Sequence, residues 1–211
     1  MLAKKYHMTG QAIRTIVNET NSFSLYLLCS QNPFSMNEHD PRCTGSDDQR
    51  LLDNIAEYGW HVIMVLDQDD SPGWAYSIGL HHSFNHPEII VFGLELDLMQ
   101  SIIDNVGEAV RSGNKFEIGK TYPDLIEDYS CTFNTVKPVW YDEFLCFATW
   151  YYKESDFPAL QCFWPDFDAR FPWEPHFNKD LLSAQPLLFH DEPTAARASD
   201  IVKALDLEIP G

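Results

Sequence analysis

Residues 72–94 read Pro-Gly-Trp-Ala-Tyr-Ser-Ile-Gly-Leu-His-His-Ser-Phe-Asn-His-Pro-Glu-Ile-Ile-Val-Phe-Gly-Leu. This stretch constrains the fold more than any other. Side chains on a strand alternate between its faces. Trp74, Tyr76, Ile78 and Leu80 therefore share one large apolar face, and Ala75, Ser77 and Gly79 share a nearly bare one. A bare strand face lets another chain segment, or a ligand, come close to the backbone. The run from Glu88 to Leu94 is apolar on both faces and reads as a buried strand. The link between the two runs carries His81, His82 and His86 and reads as a loop.

The elements on either side follow from periodicity and capping. Ser46 with Gln49 forms a capping box for a helix over about 47–58, with Asp47 and Asp48 in its first turn and Leu51, Leu52 and Ile55 as its stripe. Gly59 ends that helix. Trp60–Leu66 reads as a strand in which His61 is the polar exception. Asp97 and Gln100 form a second capping box for a helix over about 98–112, with Leu98, Ile102, Val106, Ala109 and Val110 on one face. Phe116–Tyr122 reads as a short strand or loop, Tyr129–Val136 as a half-exposed strand, Tyr141–Lys153 as a third helix and Ala159–Trp164 as a last strand.

The domain expected from these signals covers residues 46–190. An N-terminal arm over 1–45 precedes it, with a short helix over Gln11–Asn18 and a loop over 32–45. A C-terminal tail or short helix over 191–211 follows, with Ala195–Leu205 as its helical part.

Charge narrows the partners. The 211-residue chain carries 32 acidic and 14 basic side chains, a formal charge of −18. Nucleic acid and anionic membranes are poor partners for such a chain, and a basic protein is a better one. No apolar run approaches the roughly 18 residues of a membrane span. Lys4 and Lys5 lead into no apolar stretch of the kind a secretory signal needs. The five cysteines, Cys29, Cys43, Cys131, Cys146 and Cys162, include no Cys-x-x-Cys pair. A reducing cytoplasm is the expected location, and neither a disulfide framework nor a zinc knuckle is expected.

Two constellations have the residue types for chemistry. The first is the histidine loop with Glu88, whose spacing is not that of a helical zinc motif. His86-Pro87-Glu88 matches half of the zinc deaminase signature, but the Pro-Cys-x-x-Cys half is missing. No metal site is assigned. The second is the aromatic, proline-rich run from Trp164 to Glu174, in which Arg170 either clamps an anion or pairs with Asp166 or Asp168. Its aromatic residues need cover, and docking them on the central sheet would bring His86, Glu88, Gln161, Asp166 and Arg170 together. With Tyr76 and Ser77 of the first strand, these seven are the candidate ligand-binding residues. No cofactor is named by any motif, and no catalytic residue is assigned.

Several short blocks occur here in one order: Gly59-Trp60-His61, Ala75-Tyr76-Ser77-Ile78-Gly79-Leu80, His86-Pro87-Glu88, Gly93-Leu94, Leu160-Gln161, Trp164-Pro165-Asp166 and Phe171-Pro172-Trp173. In this order the chain resembles the domain-of-unknown-function family 4262, found mainly in bacteria, over about residues 46–186. Many members carry a Cys-x-x-Cys pair before the first helix, whereas this chain has only Cys29 and Cys43 there. The resemblance implies no activity and no catalytic residues.

The expected fold is α+β: a mainly antiparallel sheet with three or four helices packed on it. The order strand, strand, strand, helix is similar to that of flavin-binding split barrels, an analogy of element order alone. Two functions are open. One is a protein-binding module, an inhibitor or immunity-type partner of a basic protein. The other is a small-molecule-binding protein or enzyme, with a flavin- or nucleotide-type ligand between the histidine loop and the aromatic loop. The first predicts an acidic surface patch and the second a closed pocket with convergent polar groups. Oligomeric state is not legible in the sequence.

Overall fold

A computed structural model describes residues 45–67, 71–153 and 156–190. The helix expected over 11–18, the rest of the N-terminal arm before Gly45, and the C-terminal tail or helix over 191–211 lie outside the described residues. So does the Ser46 capping box, because side chains are described only from Gln49 onward.

The elements run α1 (Gly45–Tyr58), β1 (His61–Val65), β2 (Trp74–Ile78), α2 (Leu80–Phe84), β3 (Glu88–Phe92), α3 (Leu96–Arg111), β4 (Thr121–Ile126), β5 (Tyr129–Thr135), α4 (Tyr141–Phe144), α5 (Cys146–Tyr152) and β6 (Ala159–Phe163). The strands form a single mixed sheet in the order β1-β2-β3-β6-β5-β4. Every neighbouring pair is antiparallel except β3 with β6, which run parallel with Glu88 opposite Ala159 and Val91 opposite Cys162. The chain is α+β, as expected. The likeness to split barrels stops at element order: the sheet is open, with β1 and β4 at its edges.

Helices cover both faces. On one side α3 packs Met99, Ile102, Ile103 and Val106 against Val62, Met64, Ala75, Ile89 and Val91. On the other, Phe144, Leu145 and Ala148, together with Leu51 and Ile55 of α1, meet Ile63, Val65, Trp74, Tyr76, Ile90 and Phe92. Both faces of β1, β2 and β3 are therefore buried, which accounts for their near-continuous apolar runs.

The bare face of β2 is filled from within. α3 lies over Ala75, and α3 is itself notched by Gly107, where a Cβ would stand 2.5 Å from the Trp60 ring. Trp60 is held further by its Nε1–H bond to Asp104 Oδ1 at 3.0 Å and by the Arg111 guanidinium 4.7 Å from its ring centre. Gly79 has φ +113°, and a Cβ there would meet Gly59 O at 2.8 Å. The close approach that the bare face required is thus made by the chain's own backbone.

Several boundaries differ from expectation, each for a physical reason. Residues 80–84 form α2, not loop; the left-handed Gly79 and Asn85 (φ 52°) bracket a single short turn of helix too brief to show periodicity. Leu80 consequently leaves the face of Trp74 and joins the α3 core. α3 starts at Leu96, and Asp97 sits in its first turn without acting as a side-chain cap. Leu52 is 42% exposed and lies off the α1 stripe. β4 extends from Thr121 to Ile126, past the expected end; Pro123 and the left-handed Asp124 (φ 69°) shift its register and hide its alternation. The third helix divides at Leu145 (φ −127°, ψ 29°) into α4 and α5. With α2 and this break, the described helices number more than the three or four expected.

Candidate functional site

Glu88 is fully buried at the first position of β3, and both carboxylate oxygens act as acceptors. Oε2 accepts the Ser77 hydroxyl at 2.5 Å. Oε1 accepts the Gly79 amide at 3.0 Å, the His81 amide at 3.0 Å and the Tyr152 hydroxyl. The two amides lie at the start of α2, so the carboxylate meets backbone donors that a short helix cannot satisfy internally. Among the described residues, no basic side chain takes part. A buried carboxylate is costly unless hydrogen-bonded, and here four donors supply the compensation.

Ser77 is the second link. Its Oγ also accepts the Ile89 amide at 2.9 Å, at the point where the β2–β3 ladder has ended with Tyr76 opposite Ile90. Tyr152, from the last position of α5, accepts the amides of Gly79 at 3.2 Å and His82 at 3.3 Å while donating to Glu88. Burial, then the Glu88 charge and the hydrogen bond to it, push the Tyr152 phenol well above its ordinary value. The phenol is therefore a fixed donor and not a titrating acid. The His81 and His82 rings stand edge-on to Tyr152 and Tyr151, at 5.8 and 6.0 Å. Among the described residues, the one buried side-chain polar atom without a hydrogen bond is His81 Nδ1.

His86 is structural in its contacts. Its Nε2 accepts the Phe116 amide at 3.3 Å, which assigns the proton to Nδ1, and that group donates to Pro87 O at 2.8 Å. Burial lowers its affinity for a second proton, and the Lys115 charge acts in the same direction. Tyr76 points away from this cluster, into the core under α4 and α5, and its hydroxyl accepts the Phe147 amide at 3.4 Å.

The remaining candidates lie elsewhere. Gln161 is fully buried in the middle of β6 and donates to Pro186 O at 2.6 Å while accepting the Leu188 amide at 3.1 Å. Its amide group pairs with that segment as a peptide group would. Gln185 does the same for Trp164, accepting from its N–H at 3.1 Å and donating to its O at 3.0 Å. Asp166 ties the aromatic loop: Oδ1 accepts the amides of Asp168 and Arg170, and Oδ2 that of Asn178, all at 3.0 Å. Its burial works against the charged form, but these three amides together with the Arg170 charge outweigh it and lower the carboxyl's pKa. Arg170 Nη1 pairs with Asp168 Oδ2 at 3.0 Å and with His176 O at 2.9 Å.

The expected convergence of His86, Glu88, Gln161, Asp166 and Arg170 does not occur. Because β3 and β6 run parallel, Glu88 stands at one end of the pair and the loop that follows β6 leaves from the other, about 13 Å along the strands. Trp164 marks that far end by donating its Nε1–H to Phe92 O at 2.9 Å. The aromatic side chains find cover there too: Trp173 against Phe163 and Phe189, Trp164 against Phe177, Leu181 and Leu182. Among the described residues, the histidine loop and the aromatic loop therefore stand at opposite ends of the β3–β6 pair.

Tyr152, His61 and Asn54 are polar partners that no sequence spacing marks. Tyr152 lies 64 positions from Glu88, and no spacing rule links the two. His61 Nδ1 bonds Asn54 Nδ2 at 2.8 Å, and burial with the Arg50 charge nearby lowers its pKa to about 4. A lone histidine in an apolar strand was the available signal. Among the described residues, no three His, Cys, Asp or Glu side chains converge as metal ligands would.

No curated protein and no solved structure matches the chain. The family model described as Domain of unknown function (DUF4262) matches residues 54–178, from α1 through the aromatic loop to the Asp166 partner Asn178. This is more than half of the chain, and the chain belongs to that family.

Proposed function

We propose that this domain is a protein-binding module, an inhibitor or immunity-type partner of a basic protein. One observation carries the reading: the polar groups best suited to chemistry are already engaged inside the fold. Glu88 holds four donors, Asp166 three amides, His86 a partner on each ring nitrogen, and Gln161 a carbonyl and an amide. A catalytic or ligand-binding set keeps polar groups aimed into a pocket. Here the same residue types brace loops, and the chain as a whole carries a formal charge of −18. Such a field steers a basic partner and repels acidic ones.

The reading places the module in a bacterial cytoplasm. The free thiols of Cys131 and Cys162, both buried in the α3 core, support a reducing compartment.

The test has two arms. Calorimetric titration with arginine-rich and glutamate-rich peptides of equal length, at roughly 0.15 M salt, should show binding of the basic peptide alone, weakening as salt rises. Failure of the basic peptide to bind overturns the reading. Absorbance and metal analysis of the purified protein should show aromatic absorbance alone; a stoichiometric chromophore overturns it in favour of a small-molecule site.

A further inference from the structure

We propose that Cys131 and Cys162 are a latent redox pair, which a peroxide converts to a disulfide across the seam between β5 and β6. The register sets the geometry. Phe133 stands opposite Cys162, and Cys131, two positions before Phe133, lies on the same face of β5. The two cysteines are therefore diagonal neighbours across one antiparallel pair. Their thiols hydrogen-bond to each other. Both are free and sit in the α3 core, 0% and 1% exposed.

The place of the pair gives the bond a consequence. In the order β1-β2-β3-β6-β5-β4, the β4–β5 hairpin joins the rest of the sheet through β6. A bond from Cys131 to Cys162 would fasten that hairpin to the sheet. It would also close the chain into a loop between β5 and β6, and such a constraint on the unfolded chain stabilises the fold.

Buried thiols are slow to react, so access decides the order of events. β4 is an edge strand, and its ladder to β5 is broken between Tyr122 and Ile126, where Pro123 has no N–H and Asp124 is left-handed at φ 69°. Cys131 stands opposite Tyr122, beside that break. Opening of an irregular edge costs less than global unfolding, and it uncovers Cys131 first. Cys162 lies one strand further in. Its hydrogen bond to Cys131, and then its burial, push its thiol well above the ordinary range. Hydrogen peroxide oxidises the Cys131 thiol to a sulfenic acid and leaves as one water. The Cys162 sulfur then attacks the sulfenic sulfur; the S–S bond forms, and the hydroxyl leaves with the Cys162 proton as a second water. The two thiols lose two electrons and two protons, and one peroxide gains them.

The experiment treats the full-length protein with hydrogen peroxide, blocks the remaining thiols and maps the linked peptides. A Cys131–Cys162 peptide is expected, and dithiothreitol should release it. In a Cys29→Ser/Cys43→Ser/Cys146→Ser variant, with thermal melting as a folding check, the intact mass should fall by about 2 Da and the melting temperature should rise. Adding Cys162→Ser to that variant should halt the reaction at the sulfenic acid of Cys131, which dimedone traps. Oxygen addition to either cysteine without a link, links from Cys131 or Cys162 to other cysteines, or two unreacted thiols would each overturn the proposal. Should the triple variant fail to fold, the peptide map of the wild type decides.

Discussion

Ser77 Oγ donates to Glu88 Oε2 at 2.5 Å and accepts the Ile89 amide at 2.9 Å, so one hydroxyl both closes the β2–β3 ladder and neutralises part of a buried carboxylate. The relationship couples strand pairing to the placement of α2, because the other Glu88 oxygen holds the amides of Gly79 and His81.

Glu88→Ala should be among the most damaging single changes in the domain. It removes the shared acceptor of two backbone amides and two hydroxyls, and an unsatisfied buried group costs about 1–3 kcal/mol. A loss of roughly 3 kcal/mol or more is expected from urea denaturation, with a smaller loss for Glu88→Gln, which keeps one acceptor. In a double-mutant cycle, Ser77→Ala and Glu88→Ala should show clear coupling. A wild-type urea midpoint for Glu88→Ala would show that the network contributes nothing.

Gly79 should tolerate no side chain. Its φ of +113° is strained for any L residue, and a Cβ would meet Gly59 O, Ile55 and the Trp60 backbone within 3.1 Å. Gly79→Leu is expected to lose on the order of 1–3 kcal/mol from overpacking alone, read as a fall in melting temperature. An unchanged melting temperature would contradict the close contact between α1, β1 and β2.

Acid should weaken the fold through His61. Its pKa is about 4 when folded against the ordinary histidine value of 6.5, so between these values the unfolded chain binds a proton that the folded chain does not. Stability is therefore complete above about pH 6.5 and is lost as pH falls toward 4, by an amount on the order of 3 kcal/mol. His86, also lowered, adds to the same slope. Urea midpoints of wild type should fall between about pH 7 and pH 4.5 more steeply than those of His61→Gln. Parallel pH profiles would remove His61 from the account.

Gln161→Ala should loosen residues 186–188 and leave the sheet in place. The amide makes two hydrogen bonds to that segment, which lies beyond the family match at residue 178. A loss of about 2 kcal/mol and faster proteolysis near residues 185–190 are expected. Unchanged cleavage would mean that Leu187, Leu188 and the Lys137 amide bond to Leu188 O hold the segment unaided.

Local pattern determined a good deal of this protein. Alternation along Trp74–Ile78, the apolar runs of β1 and β3, and the glycine stop at Gly59 are short-range consequences of residue type, and each stands where it was expected. The ordered motif blocks also determined the family. What fills the bare face of β2, which residues pair with Glu88, and which sheet end the aromatic loop occupies were decided by the tertiary structure. The parallel pairing of β3 with β6 separates the two loops, and that pairing depends on a crossover through α3, β4, β5, α4 and α5 that leaves no local signature. Hydrogen bonds such as Tyr152 to Glu88 depend on where distant backbone arrives, whereas a periodic pattern records only which face of its own element is buried.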